Sequence, residues 1–322
     1  MLRVKRVVTA FAATAALAGT ALVGVAPASA APATAAPAAA PASMSKPPPA
    51  ISASDKLVTG GVAAPKGKVG KKTGVATKPP VTASASAKAA LTGTTYYQYG
   101  IGKQTATTDG VAANFKIAKP TVKSTDYHSL AEIAIESADE QQIVEIGWTV
   151  DPTTFSGSSA PSAPHLFAYH WVNGQETCYN GCGYVAYSGA TVAVGADLTS
   201  VIGQELTFAI QNTGTAWWLG YNGQWIGYFP LTIWSGATPP ATFAHGGLNQ
   251  LFGEVALSTP TSCTDMGNGL PSSDSGSARV ASTTYVNGPT VSLTVGSTHA
   301  NYPTTVITAR TFRYGGTGTG AC

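Results

Sequence analysis

Two glutamates stand inside apolar, strand-like segments, where carboxylates are seldom placed. Glu145 lies in V-E-I-G-W-T-V (144–150) and Glu254 lies in L-N-Q-L-F-G-E-V-A-L (248–257). Because side chains alternate across a β-strand, each glutamate points away from the face that carries most of its apolar neighbours. Each also has a glycine close by, Gly147 and Gly253, which we interpret as room for a substrate to approach.

A pair of buried carboxylates can hydrolyse a bond without a metal, a cofactor or a covalent intermediate. Two held close together cannot both ionise cheaply, so they share one proton and titrate in two steps. The ionised member can deprotonate a water, and the protonated member can polarise a carbonyl or protonate a leaving nitrogen. This chemistry predicts activity in acid. Gln250, on the face of Glu254, is a candidate donor to the oxyanion; the alternative for all three residues is an ordinary solvent-facing position.

Aromatic residues are the candidates for substrate contact. Trp148 alternates with Glu145 and is expected in the core. An aromatic groove would suit proline rings, and we expect Trp218 and Tyr228 to line it. The full set of candidates also includes residues that will be packing instead: Tyr169, Trp171, Trp217, Trp218, Tyr221 and Tyr228.

Other catalytic arrangements lack their sequence signatures. Five histidines and many serines form no nucleophile elbow, and no H-E-x-x-H motif is present. Four cysteines in an exported chain predict two disulfides, which we expect as Cys178–Cys182 and Cys263–Cys322 among the three pairings that four cysteines allow. A zinc site is the alternative, although no histidine lies at ligand spacing beside these cysteines.

Strand signals dominate the chain from residue 92 onward and predict an all-β fold, an antiparallel two-sheet β-sandwich like a jelly roll. Apolar and aromatic runs are separated by clusters of Gly, Pro, Ser, Asn and Asp. Asn222-Gly223 predicts a hairpin turn. The predicted strands are 96–100, 112–117, 130–136, 142–150, 165–171, 184–187, 191–194, 205–211, 216–221, 224–229, 251–257, 278–286 and 306–313.

The N-terminal third has a different composition. Residues 1–30 combine Arg3, Lys5 and Arg6 with an apolar run and a small-residue exit, which predicts a secretory signal peptide; an uncleaved membrane anchor is the alternative. Residues 31–91 contain no Trp, Tyr, Phe or Cys. We therefore expect a disordered Ala/Pro/Lys-rich linker or pro-segment there, and a catalytic domain over 92–322.

Charge is divided unevenly along the chain. Residues 31–91 hold eight lysines and one acid, whereas residues 92–322 hold seven basic and fourteen acidic residues, a net charge near −7. The lysines are scattered and have no aromatic partners, so we expect no nucleic-acid partner. We expect a secreted protein with no stable membrane association after signal cleavage and a polypeptide as its substrate. The sequence does not indicate an oligomeric state.

An ordered series of short motifs resembles the neprosin family. The series is E-I-G-W-T-V-D-P (145–152), L-F-A-Y (166–169), C-Y-N-G-C (178–182), W-W-L (217–219), G-Y-F-P (227–230) and F-G-E-V (252–255). The resemblance covers about residues 96–322. It implies a secreted glutamic peptidase with a β-sandwich fold, whose two catalytic glutamates match Glu145 and Glu254, and cleavage after proline as in a plant member.

The sequence departs from the family pattern in three places. Phe252 stands where the plant motif has a glycine, Phe229 stands where it has a tryptophan, and residues 31–91 have no recognisable plant counterpart. Substrate preference and control of a precursor therefore stay open. Two other functions also stay open: a glycoside hydrolase with paired carboxylates, and a non-catalytic sandwich that binds sugar or cell wall.

Overall fold

A computed structural model describes residues 42–69, 94–236 and 243–322. These residues form two antiparallel β-sheets that pack face to face, which confirms the predicted all-β sandwich. The signal peptide predicted over 1–30 lies outside the described residues.

The seven-stranded sheet, called here the front sheet, has the order β14-β2-β12-β4-β5-β6-β7. At its centre three long strands pair antiparallel in the order β12, β4, β5. All of their residues are buried, so both faces of this part of the sheet are covered. The bounds are β2 Tyr96–Thr108, β4 His128–Glu136, β5 Ile143–Val150, β6 His165–Val172, β7 Gln175–Glu176, β12 Gly246–Leu257 and β14 Thr294–Ser297.

The nine-stranded sheet, called here the back sheet, has the order β1-β8-β11-β10-β9-β3-β13-β16-β15. The β10–β11 hairpin turns at Asn222-Gly223, as predicted, with both residues at positive φ. The bounds are β1 Lys56–Leu57, β3 Gly110–Lys116, β8 Val185–Ala186, β9 Glu205–Asn212, β10 Ala216–Tyr221, β11 Gln224–Pro230, β13 Ala278–Val286, β15 Thr304–Thr308 and β16 Thr311–Tyr314.

The main core lies between the sheets and follows the predicted alternation. Val144, Ile146 and Trp148 of β5 are fully buried there, as are Ile210 and Trp217 of the back sheet. Both disulfides are present with the expected pairing. No helix in the described ranges is long and apolar enough to cross a bilayer.

Two strand predictions were wrong. Residues 191–194 form no strand, because they are turn residues beside Gly195, which has positive φ. The predicted strand 306–313 is a hairpin of β15 and β16, with a turn at Ala309-Arg310. In both places the apolar and β-branched composition resembles a strand, although the backbone turns.

Residues 42–69, called here the docked segment, pack against the sandwich, in contrast to the predicted disorder. The Ala42 amide donates to the Ser282 carbonyl at 2.9 Å, and the Trp225 indole donates to the Lys46 carbonyl at 3.0 Å. Further along, β1 pairs with β8 at the edge of the back sheet. The segment has no aromatic side chain, and Ile51 and Leu57 are exposed. Backbone hydrogen bonds and the buried charge of Lys66 hold it to the sandwich instead.

Candidate active site

Three glutamates project from the three central strands onto the outer face of the front sheet. Glu254 is on β12, Glu132 on β4 and Glu145 on β5. Each is at most 1 % exposed. We call these three residues the glutamate cluster. Their placement follows from register, because side chains on one side of neighbouring antiparallel strands share a face.

Lys66 of the docked segment inserts its ammonium into the glutamate cluster. Its Nζ lies 2.6 Å from Glu132 Oε1, 3.3 Å from Glu145 Oε2 and 3.8 Å from Glu254 Oε2. The Lys66 side chain is fully buried, and its Nζ lies 5.6 Å from the centre of the Phe252 ring. The oxygens of Glu145 and Glu254 can therefore be no farther apart than their two distances to Nζ combined, so these residues face one site.

The two glycines beside the predicted glutamates do not open space for a substrate. Gly147 pairs with Glu132 across β5 and β4, and a Cβ at Gly147 would lie 2.7 Å from the Glu132 Cβ. Gly253 points to the other face of the front sheet, where the Tyr314 ring occupies the space. Gly147 is thus required by the close approach of the β4 chain at Ala131 and Glu132. The sequence pattern did not reveal the third carboxylate, Glu132.

The backbone of the docked segment lies on the glutamate cluster as an extended peptide would. The Gly67 amide donates to Glu254 Oε1 at 3.1 Å, and the Gln250 amide group donates to the Val69 carbonyl at 2.5 Å. A Cβ at Gly67 would collide with the Tyr99 hydroxyl and the Glu254 carboxylate. At this point the groove therefore admits a chain that has no side chain.

A family model described as Neprosin matches residues 125–317. This match covers more than half of the chain and includes all three glutamates of the cluster. The chain belongs to the neprosin family. It is accordingly a glutamic peptidase, a hydrolase of peptide bonds, as the resemblance implied.

Comparison with solved structures gives low similarity scores. Scytalido-glutamic peptidase with a peptide-based transition state analog has a TM-score of 0.35 at 10% identity, and the match covers 70% of this chain and 100% of that chain. SCP-B, a member of the Eqolisin family of peptidases in a complex with the tripeptide Ala-Ile-His, gives 0.36 at 11% identity with the same coverage. The chicken-liver agglutinin CG-16 gives 0.28 at 8% identity, covering 50% of this chain and 96% of that chain. At such scores the likenesses carry no argument, and no curated protein matches the chain.

The environments of Glu145 and Glu254 in this neprosin-family chain separate their proton affinities. Burial and the charge of Glu254 raise the pKa of Glu145 to about 7, against the opposing effect of Lys66 and of a 3.0 Å hydrogen bond from the Trp171 indole. Burial also raises the pKa of Glu254, but Lys66, His128 and the Gly67 amide outweigh it, so that its pKa is lowered. Glu145 therefore binds a proton more tightly than Glu254 while the segment is docked.

His128 supports the ionised form of Glu254 from within the front sheet. Its Nε2 lies 2.8 Å from Glu254 Oε1, and both side chains are fully buried. Burial opposes the charged form of Lys66, yet the three glutamates together raise its pKa, so the ammonium persists across the accessible pH range. Burial and the neighbouring Glu145 charge raise the pKa of Glu132 well above its ordinary value.

The other predicted site residues divide between the two sides of the sandwich. Gln250 lies on the cluster side and also donates to Glu136 at 3.0 Å. Trp218 and Tyr228 do not lie there: they pack together, with ring centres 4.6 Å apart, on the outer face of the back sheet. The prediction that they line the catalytic groove was wrong, because β10 and β11 belong to the opposite sheet.

The aromatic wall of the site is formed by other residues. Tyr169 and Trp171, from the candidate set, lie on the cluster side, whereas Trp217 and Tyr221 belong to the core between the sheets. Tyr99 was not foreseen, although its position opposite Glu254 follows from the pairing of β2 with β12. Its hydroxyl is buried and makes no regular hydrogen bond.

Proposed function

We propose that this glutamic peptidase is an acid-active endopeptidase in which Glu254 is the general base and Glu145 the general acid. The observation that supports this assignment is the contact of one ammonium with both carboxylates. The Lys66 Nζ marks the space between the carboxylates in which the attacking water would bind, 3.3 Å from Glu145 and 3.8 Å from Glu254. A water bonded to both glutamates must therefore lie closer to Glu254 than Nζ does. His128 belongs to the front sheet and stays beside Glu254 when the segment leaves, so it keeps lowering the pKa of Glu254 and gives the two glutamates different roles.

The reaction conserves protons without any further group. Glu254 takes a proton from the water as its oxygen bonds to the scissile carbonyl carbon. Glu145 gives its proton to the leaving nitrogen as the carbon–nitrogen bond breaks, and one proton then returns from Glu254 to Glu145. The Tyr99 phenol, whose pKa burial and Glu254 raise, stays neutral and is placed to donate to the oxyanion. In this structure the alternative donor, Gln250, is engaged with Val69.

A preference for cleavage after proline agrees with the groove and with the peptide in it. Aromatic rings that favour proline line the cluster side, among them Tyr99, Tyr169 and Phe252. The docked segment itself carries Pro65 directly before Lys66. Cleavage on the carboxyl side of Pro65 would release a chain that begins at Lys66.

The docked segment acts as an inhibitory pro-segment in this proposal. It covers the glutamate cluster, and the Lys66 ammonium occupies the space of the attacking water. The Gly67 amide donates a hydrogen bond to Glu254, and the Val69 carbonyl accepts one from Gln250. Lysine complements this side of the molecule, where Glu136 and Glu176 are also present. The excess of lysine in residues 31–91 and the excess of acid in residues 92–322 have a common explanation in this contact.

Glutamine substitutions test the assignment of the pair. We expect Glu145→Gln and Glu254→Gln each to lower peptide hydrolysis at about pH 4 by about 10²- to 10⁴-fold, the range for loss of general acid–base catalysis. The substrate is a synthetic peptide with the sequence of residues 58–73, compared with its Pro65→Ala form. Undiminished hydrolysis by either variant would refute the pair, and equal hydrolysis of both peptides would refute the proline preference. Sugar released from a polysaccharide instead would favour a glycosidase.

Secretion is the remaining part of the proposal and rests on the composition of residues 1–30. We expect the protein to be recovered from the medium of an expressing bacterial host, with an N-terminus after Ala30. Deletion of residues 2–30 should retain the protein inside the cell. Recovery of the full chain in the membrane fraction would favour the uncleaved anchor.

A further inference from the structure

Glu132 lies closer to Lys66 than either predicted catalytic glutamate does. The distance of its Oε1 from Nζ is 2.6 Å, and its other carboxylate oxygen has no hydrogen-bond partner among the described residues. It occupies the middle strand, β4, between Phe252 of β12 and Gly147 of β5. The third carboxylate is therefore at the centre of the cluster and not at its edge.

The surroundings of Glu132 on its face of the front sheet are mostly apolar. Gly147 lies opposite it, where the β4 backbone leaves no room for a side chain. Leu130 and Ala134, which flank Glu132 on the same face, are apolar and fully or almost fully buried. A buried carboxylate without a permanent cation is costly where an apolar side chain would pack. Packing therefore does not account for a glutamate here, and Lys66 is its partner only while the segment is docked.

The proton on Glu132 follows from the charges that face it. A peptidase with an open groove has lost Lys66, so three carboxyls share one buried site and cannot all ionise. Glu254 keeps His128 as a partner and Glu145 keeps the Trp171 indole. Within the described part of the sandwich, Glu132 keeps neither a cation nor a hydrogen-bond donor. Five titratable groups interact with Glu132 among the described residues: Lys66 of the docked segment, Glu145 of β5, Glu254 of β12, Tyr99 of β2 and Tyr179 of the loop after β7.

We propose that Glu132 is a third functional residue, a carboxylic acid that keeps its proton while Glu254 is ionised and that donates a hydrogen bond to the attacking water. This inference rests on the proposed peptidase mechanism and adds a residue to it. The donor fixes the water beside Glu254 without accepting a proton, so no proton is gained or lost at Glu132 during turnover. A neutral acid can do this in a desolvated site where an anion could not.

Isosteric and apolar replacements distinguish this role from packing. Glu132→Gln keeps a neutral donor of the same shape, so we expect kcat within about threefold of the parent and an unchanged alkaline limb of the pH profile. Glu132→Leu removes the donor, and we expect kcat to fall by about 10²-fold with little change in KM. Thermal unfolding of both variants reports whether the fold is kept.

Each other outcome overturns the inference. Full activity of a folded Glu132→Leu would leave Glu132 only the role of holding Lys66 in the docked segment. Loss of activity in Glu132→Gln would show that Glu132 itself transfers a proton, and an alkaline limb moved to lower pH would show that it was ionised. Infrared difference spectra of the parent and Glu132→Gln give an answer that does not need activity, because a protonated carboxyl band must disappear. If the parent hydrolyses no peptide but the carboxyl band disappears in Glu132→Gln, the proposed peptidase function is refuted and the protonation of Glu132 is not.

Discussion

Lys66→Met is expected to activate the uncleaved chain. The substitution keeps about the length of the side chain and removes the ammonium. In the docked state the glutamate cluster then has no buried cation, so docking is weakened. Breaking a buried ion pair by removing one partner costs about 3–5 kcal/mol, part of which a proton taken up by the cluster offsets. We therefore expect the open form, and with it peptide hydrolysis at about pH 6, to increase by about 10²-fold.

Lys68→Met provides a matched control. Lys68 is two residues away, and its ammonium contacts the Glu140 carbonyl and not the glutamate cluster. We expect its activity to stay within about threefold of the parent. Equal rates of peptide hydrolysis by the parent and by Lys66→Met at about pH 6 would refute the role of the ammonium. Equal activation by both variants would show that total charge, and not the inserted lysine, holds the segment.

The sandwich could be predicted from the sequence because its strands carry a strong signal. β10 and β13 have the predicted bounds, and the buried faces of β5 and β12 follow from alternation. Alternation also gave the side of the sheet that Glu145 and Glu254 share. The assignment of β10 and β11 to the opposite sheet depends on long-range pairing that no local pattern encodes, and this is why Trp218 and Tyr228 were misplaced.

Two members of the site escaped prediction for different reasons. Lys66 lies in a stretch whose composition predicts disorder, and only an acidic partner surface gives it a fixed position. Glu132 lies among apolar residues of β4 like many solvent-facing strand acids. A glycine in a strand indicates close approach by another group, but at Gly147 that group is the neighbouring β4 chain, so the glycine indicated neither the carboxylate nor a substrate.

Acid is expected to release the docked segment through the glutamates and not through Lys66. The pKa of Lys66 is raised, so its ammonium is retained. Lys66 lowers the pKa of both Glu145 and Glu254, so docking is strongest above their pKa values in the open groove. That contribution is lost as the pH falls through the values in the docked state, first about 7 for Glu145 and then the lowered value of Glu254.

The size of the acid effect follows from proton linkage. Each glutamate that takes up a proton on release weakens docking by about tenfold per pH unit over the range in which it titrates. We expect the amides of residues 62–69 to exchange hydrogen slowly at pH 8 and progressively faster between about pH 7 and pH 4, after correction for intrinsic exchange rates. Lys66→Met should exchange fast throughout, and Lys68→Met should follow the parent.

Activation by acid has a lower pH limit, because catalysis in the open groove requires Glu254 to be ionised. Release of Lys66 and of the Gly67 amide removes two of the contacts that lower the pKa of Glu254, so Glu254 then takes up a proton nearer the ordinary carboxylate range. We expect hydrolysis by the intact chain to rise from pH 7 to a maximum in weak acid and to fall below it. Lys66→Met should keep the acid limb and gain activity on the neutral side. Superimposable pH profiles of the parent and Lys66→Met would show that the docked segment does not control activity.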